Sequence, residues 1–409
     1  MKLRSLVLAC LFFFTVAAFA QQEQSTFGIT FSGFVKTDFM YDSRQTVALR
    51  EGHFLLYPSP IVNDKFGKDI NDKANFNMLS IQTRLIGKIT GPDALGAKTS
   101  GLIEGEFFGT SDADVSGFRV RHAYLKMDWE TSSLLIGQFW HPMFVVEMYP
   151  GVVSFNTGAP FQPFSRNPQI RFSQTIDKMK LIVAAISQRD FQSNGPGGLS
   201  SSYLRNSVMP NLHAQLQYST GSNMLGFGFD YKTLTPRLVT TKNVATNATI
   251  NSTALLGYAK LTLDPVTIKA EGTYGENLSD HLMLGGYGIK SLDTNTGIES
   301  YSALKSYSLW GEISTGKDLE FALFAGYSKN LGSNDNLVGT SYYGRGTDID
   351  NLLRISPRVV WNTGKVRFAT EFEYTLADYG TPDNLNNGKL YNLKSVSNTR
   401  LLFAVYYFF

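Results

Sequence analysis

The chain has 409 residues with 37 Lys and Arg against 34 Asp and Glu, a formal net charge of +3, and only 17% charged but 13% aromatic residues. So balanced a chain lacks the basic footprint of a nucleic-acid binder. Beyond an N-terminal leader no apolar run reaches the ~18 residues of a membrane-spanning helix.

Lys2 and Arg4 precede an apolar run from Leu6 to Phe14, and Ala18-Phe19-Ala20 offers a small-x-small cleavage site before Gln21. This reads as a secretory signal peptide over residues 1–20, leaving 21–409 as the exported domain. Val7-Leu8-Ala9-Cys10 distantly resembles a lipidation box, but the apolar run continues past Cys10. Removing the leader takes away the only cysteine, and with it any disulfide or thiolate metal site.

Period-two alternation of apolar and polar residues then recurs to the end of the chain. It predicts sixteen strands at 27–41, 75–90, 99–111, 117–130, 134–140, 169–176, 179–190, 211–219, 223–234, 252–263, 266–276, 302–315, 319–330, 352–362, 365–378 and 396–409. Alternate gaps are short and carry turn chemistry, as in Gly91-Pro92-Asp93, Asp177-Lys178, Thr220-Gly221-Ser222 and Thr363-Gly364. The other gaps, notably 42–74, 141–168, 235–251, 277–301, 331–351 and 379–395, are mostly long and polar and are expected to face the outside. The fold class is therefore all-β, a transmembrane antiparallel up-and-down barrel of about 16 strands, with both termini on the short-turn side.

The strand faces separate a lipid-embedded barrel from a soluble sandwich. Val266, Ile268, Ala270 and Tyr274 alternate with Thr267, Lys269, Glu271 and Thr273; Val366, Phe368, Phe372 and Tyr374 oppose Arg367, Glu371 and Glu373. A Lys or Arg facing lipid at the midplane costs about 2–4 kcal/mol, so the charged set must face a wet lumen. By phase the inner wall receives Lys36, Asp38, Arg84, Lys88, Glu104, Glu106, Arg171, Asp230, Lys232, Lys269, Glu271, Glu312, Arg354, Arg358, Arg367, Glu371, Glu373 and Arg400. Arg119 and Arg121 share a phase with Leu125 and Trp129. They join the wall only if a bulge shifts the register there.

The last strand, Thr399 to Phe409, is apolar on both faces, and an unpaired edge of that kind would aggregate. Pairing with the first strand closes the barrel. With Tyr407 and the terminal Phe409 two apart, it resembles the C-terminal signature by which bacterial outer-membrane barrels reach their assembly machinery.

A second resemblance rests on Arg119-Val120-Arg121-His122-Ala123-Tyr124-Leu125 and on Leu134-Leu135-Ile136-Gly137-Gln138-Phe139-Trp140-His141-Pro142-Met143-Phe144. These segments are similar to the Arg-x-Arg-x-Ala-Tyr and Gly-Gln-Phe/Thr-Trp segments of trimeric porins of the DcaP-like group, and more loosely to phosphate-selective porins. The resemblance implies a sixteen-stranded, usually trimeric porin protomer passing small hydrophilic solutes by diffusion. Residues 21–26 are too few for the N-terminal helical extension of some members. It also places 141–168 as the third outer loop, which in such porins folds into the lumen as a constriction. That segment holds Phe144, Tyr149, Phe155, Phe161 and Phe164 but only Glu147 and Arg166 as charges, a composition suited to packing against the inner wall.

Other chemistry is thin. His53, His122, His141, His213 and His281 are scattered along the chain, and acidic runs such as Asp348-Ile349-Asp350 read as solvated loop tips. No metal, cofactor or catalytic residue is expected. The reading is an outer-membrane porin in a Gram-negative envelope, a homotrimer embedded in lipid. Mild anion preference would be set by Arg119, Arg121, Arg171, Arg354 and Arg358 near the narrowest point. The rivals are an outer-membrane lipase or protease and a structural or adhesive barrel.

Overall fold

The computed structural model describes residues 27–409, so the expected leader and Cys10 lie outside the described residues. The alternating segments form a closed 16-strand antiparallel barrel. Its first half comprises β1 (Gly28–Asp42), β2 (Asn75–Leu79, resuming as Arg84–Thr90), β3 (Lys98–Phe107), β4 (Phe118–Asp128), β5 (Ser132–Trp140), β6 (Arg166–Ile176), β7 (Met179–Ile186) and β8 (Asn211–Thr220). The second comprises β9 (Asn223–Leu234), β10 (Ile250–Leu263), β11 (Val266–Glu276), β12 (Glu299–Thr315), β13 (Leu319–Gly332), β14 (Ile349–Thr363), β15 (Val366–Asp383) and β16 (Lys389–Phe408). Closure is by β16 on β1, from Phe34 opposite Phe408 to Asp42 opposite Arg400. The terminal residue completes it: Phe409 and Gly33 exchange both backbone hydrogen bonds, at 3.2 Å each.

Alternation sorts the side chains as expected. On β8, Leu212 and Leu216 stand exposed on the outside while His213, Gln215 and Gln217 are buried within. On β15, Phe372 faces out between the fully buried Glu371 and Glu373. Short turns close one end of the barrel, among them the two-residue Asp177-Lys178 connection and, one residue later than expected, Gly364-Lys365; Asp177 and Gly364 take positive φ of 52° and 58°.

The expected bulge lies in β4. Glu104 pairs with His122 but the next residue, Gly105, pairs with Val120, so Arg121 is the extra residue. Arg119, Arg121 and His122 all turn inward, while Val120 and Leu125 keep an exposed, outward position. A second irregularity corrects the expectation of one continuous strand over 75–90. Asp38 pairs with Leu79 and Phe34 with Arg84, so β2 holds one residue more than β1 between these points. The surplus makes a turn at Ser80–Thr83, closed by Thr83 N–H donating to Ser80 O at 3.3 Å. It lets Gln82 reach Lys36 Nζ at 2.5 Å. Between β4 and β5 the ladder runs only from Asp128–Ser133 to Ala123–Gln138. Above it the amide of Gln138 donates to the carbonyls of Arg121 (3.0 Å) and Val120 (3.4 Å).

The long connections do not all face outward, which corrects the reading of 42–74 and 277–301. The first carries a hairpin, Thr46–Leu49 with Phe54–Pro58, and Phe54 to Tyr57 are buried. The second brings in Leu278 and Leu282 to Leu284. With residues 141–165 they form one apolar core inside the barrel. Phe54 meets Phe164 edge-on at 5.1 Å, Phe108 stacks on Phe155 at 4.0 Å, and Trp140 stacks on Phe144 at 3.8 Å. Each such ring removes roughly 150–250 Å² from water, which explains why these loops fill the lumen instead of standing in solvent.

Candidate channel constriction

The loop 141–165 leaves β5, crosses the lumen and returns to β6. Arg166, expected within it, is instead the first residue of β6. Its far side is held by wall groups that hydrogen-bond its backbone. Glu371 accepts from the amides of Val153 and Ser154, the latter at 2.9 Å. Lys36 Nζ donates to Val153 O at 3.0 Å, and Asn156 donates to Glu373 at 3.2 Å. Glu312 accepts from Gly151 N at 2.7 Å, and Lys269 Nζ donates to Tyr149 O at 2.9 Å. Phe144, Phe155, Phe161 and Phe164 are buried in the core, whereas Glu147 and Tyr149 are exposed to the lumen.

Arg354, an expected pore charge, is 1% exposed. Its guanidinium donates to Thr375 (2.9 Å), to Ala159 O (2.9 Å) and to Leu56 O (2.7 Å), tying two inward loops to the wall. Arg358 is neutralised by Glu312 at 2.6 Å and Glu320 at 2.8 Å, and Lys269 joins Glu312 at 3.1 Å. Lys36 lies 2.9 Å from Asp38, which also meets His53 at 3.0 Å; Arg400 lies 2.6 Å from Asp42. Lys232 pairs with Asp280 from the 277–301 loop. Glu271 is buried beside Trp310, its opposite number on β12. Arg367, over the Tyr406 and Phe408 rings, and the exposed Lys88 stand toward the short-turn end.

The densest group sits on β2, β3, β4 and β6. Arg121 bridges Glu104 at 2.6 Å and Glu106 at 2.5 Å, and Arg84 reaches the same carboxylates at 3.1 and 3.2 Å. Arg119 spans Glu106 and Asp190, both at 3.1 Å, and Arg166 holds Asp190 at 2.8 Å. Arg166 also lies over Trp140 at 5.0 Å and Phe164 at 5.5 Å, so the loop aromatics cover guanidinium faces. Four arginines face three carboxylates, and the bulge at Arg121 is what lets adjacent residues enter one cluster.

Three cavities lie around this region, and the second and third border the loop itself. One of about 630 Å³, toward the long loops, is lined by Arg50, Arg119, Arg189 and Arg345 with Asp190 as its carboxylate. One of about 350 Å³ lies against Arg84, Glu104 and Arg121. The third, about 320 Å³ on the short-turn side, is lined by Lys126, Arg171 and Lys180 with Glu147. The chain is a porin-fold barrel.

Solved structures of the same architecture accord with that statement. The outer membrane channel DcaP of Acinetobacter baumannii aligns with a TM-score of 0.67 at 15% identity, over 94% of this chain and 97% of that one. OmpT of Vibrio cholerae in its trimer form aligns at 0.55 and 9% identity, over 94% and 99%. OmpF of Salmonella typhi aligns at 0.53 and 12% identity, over 93% and 97%. No protein-family model matches the porin-fold chain, and no curated protein matches it.

Several members of this barrel's interior escaped the sequence. Asp190 falls at the end of a strand predicted to 190, but β7 stops at Ile186. Glu320 was legible, since it alternates with the outward Leu319 and Phe321. Arg50 and Arg345 come from connections, where period two carries no signal.

Proposed function

We propose that the protein is an outer-membrane channel for passive diffusion of small hydrophilic solutes, with a mild preference for anions, working as a homotrimer and without enzymatic activity. On this reading the short turns face the periplasm, the long connections face the outside, and the apolar outer band meets lipid. The carrying observation is the surplus of cations where solute would enter. The cavity toward the long loops presents four guanidiniums and one carboxylate. The short-turn cavity presents Lys126, Arg171 and Lys180 with Glu147 among its lining. Between them the charges are mostly paired, so selectivity rests on the mouths more than on Arg354 and Arg358. Unbalanced cations at a mouth lower the entry barrier for anions. With a Debye length of about 8 Å at 0.15 M salt the preference fades as salt rises.

Reversal potentials across a KCl gradient in planar bilayers test the proposal. Anion preference should fall in Arg189→Ala combined with Arg345→Ala. Cation preference in the wild type, or an unaltered reversal potential in the double variant, would overturn the charge assignment; absence of any conductance would overturn the channel itself.

A further inference from the structure

Three of the five histidines, dispersed in sequence, converge beside the root of the constricting loop. His141 is the first residue after β5, His213 lies on β8, and His281 comes from the 277–301 loop; Asp230 on β9 completes the group. All four are buried. His213 Nδ1 stands 3.1 Å and His141 Nε2 3.4 Å from the same oxygen, Asp230 Oδ2. The donor atoms of these three residues lie within 4.8 Å of one another. His281 packs edge-on to His141 at 4.6 Å.

We infer that His141, His213 and Asp230 form a binding site for a divalent transition-metal ion of the zinc type. Two imidazole nitrogens and one carboxylate oxygen are the ligand chemistry of such ions, and not of calcium or magnesium, which take oxygen sets. For bonds of about 2.0–2.1 Å in a tetrahedron, neighbouring donors sit roughly 3.3 Å apart. The two histidine–carboxylate separations bracket that value.

The surroundings supply an independent argument. Gln215 donates its amide to Tyr258 OH at 2.6 Å, which turns its Oε1 onto His213 Nε2 at 3.1 Å. That oxygen fixes a proton on Nε2 and leaves Nδ1 with its lone pair toward a carboxylate. Two electron-rich atoms at 3.1 Å need a cation between them or a second proton on the ring. A ligating imidazole whose other nitrogen donates to a carbonyl is the usual outer arrangement of a metal site. The second oxygen of Asp230 is held by Asn211 Nδ2 at 2.8 Å, which aims Oδ2 at the histidines. Asn211 Oδ1, 3.2 Å from His141 Nε2, is placed to complete the coordination. His141 is the ligand that must adjust. Its Nδ1 accepts the Met143 amide at 3.3 Å, a contact given up when Nε2 binds the ion and Nδ1 carries the proton. An ion there would staple the root of the constricting loop to β8 and β9.

The probe is zinc chloride titrated calorimetrically into the full-length protein in detergent, without a histidine tag, with cobalt(II) absorption as a second readout. One ion per chain should bind, and cobalt should give the visible spectrum of a four-coordinate N,O site. His213→Gln, which keeps a hydrogen bond to Asp230, should abolish both signals, and Gln215→Ala should weaken binding by about 10–100-fold. Retained heat-modifiable mobility certifies that each variant is folded. A wild type that binds no zinc, or a folded His213→Gln variant that binds it as well as the wild type, would overturn the site in favour of an imidazolium–carboxylate pair.

Discussion

Replacing Glu371 by Ala removes the acceptor for the amides of Val153 and Ser154 at the far side of the constricting loop. The site is fully buried and Lys36 Nζ, on Val153 O at 3.0 Å, is the other polar tie at that residue. A buried amide left without an acceptor costs about 1–3 kcal/mol, so two give about 2–6 kcal/mol against the docked loop. Desolvation of the carboxylate itself, no longer needed, offsets part of this. A net ~3 kcal/mol shifts the docked-to-undocked ratio by roughly 150-fold. Single-channel recording should then show added noise and substates, and protease should cut within 150–157 in the folded barrel. Glu371→Gln keeps an acceptor oxygen and should fall between. Unchanged channel noise and protease resistance in a folded Glu371→Ala barrel would refute the latch.

Arg354→Ala should lower the temperature of the heat-modifiability transition by loosening the loops that carry Ala159 and Leu56 together; an unchanged transition would show the clamp to be dispensable. Deleting Phe409 removes the reciprocal bonds with Gly33 and should cut outer-membrane yield, measured by fractionation, whereas normal yield would exclude a role in closure. The protein should run as a detergent-resistant trimer, and a monodisperse monomer by light scattering with detergent subtracted would reject that assembly. At the tip of the first long connection, burial pushes the Asp69 carboxyl up, but the amides of Val62 and Asn71 and the Arg44 guanidinium outweigh it and hold it low. A depressed folded pKa stabilises above the unfolded value of about 3.9 and is lost as pH falls through the folded one. Residues 61–70 should therefore resist cleavage at pH 5 and become sensitive to pepsin below about pH 4; equal sensitivity at both would contradict this.

Strand order, closure and inward phase were legible because period two survives wherever one face meets lipid and the other water. Even the bulge at Arg121 was readable, as a conflict between the phase of Arg119 and Arg121 and that of Leu125. The lumen was less legible. Phe54 to Tyr57 is an apolar run inside a polar connection, a local sign that the segment folds inward, but nothing local names its partner Phe164. The role of Arg354 was hidden for the same reason: phase places its Cα on the inner wall, whereas its charge is spent on carbonyls that arrive from loops far along the chain. The convergence of His141, His213 and His281 depends on curvature of the whole sheet, which no window of sequence contains.

The half-length ladder between β4 and β5 gives the wall a mechanical direction. The β1–β2 joint is interrupted only at Ser80–Thr83 and its backbone ladder resumes on both sides, whereas above Ala123 the β4–β5 joint does not resume and leans on the side chain of Gln138. A cylinder with one soft joint widens there first, so thermal breathing of the barrel is channelled toward the arginine-lined cavity that touches Val120 and Gln138. Amide deuteration along residues 118–122 should accordingly outrun that of the same depth on β14 and β15, and Gln138→Leu should widen the difference.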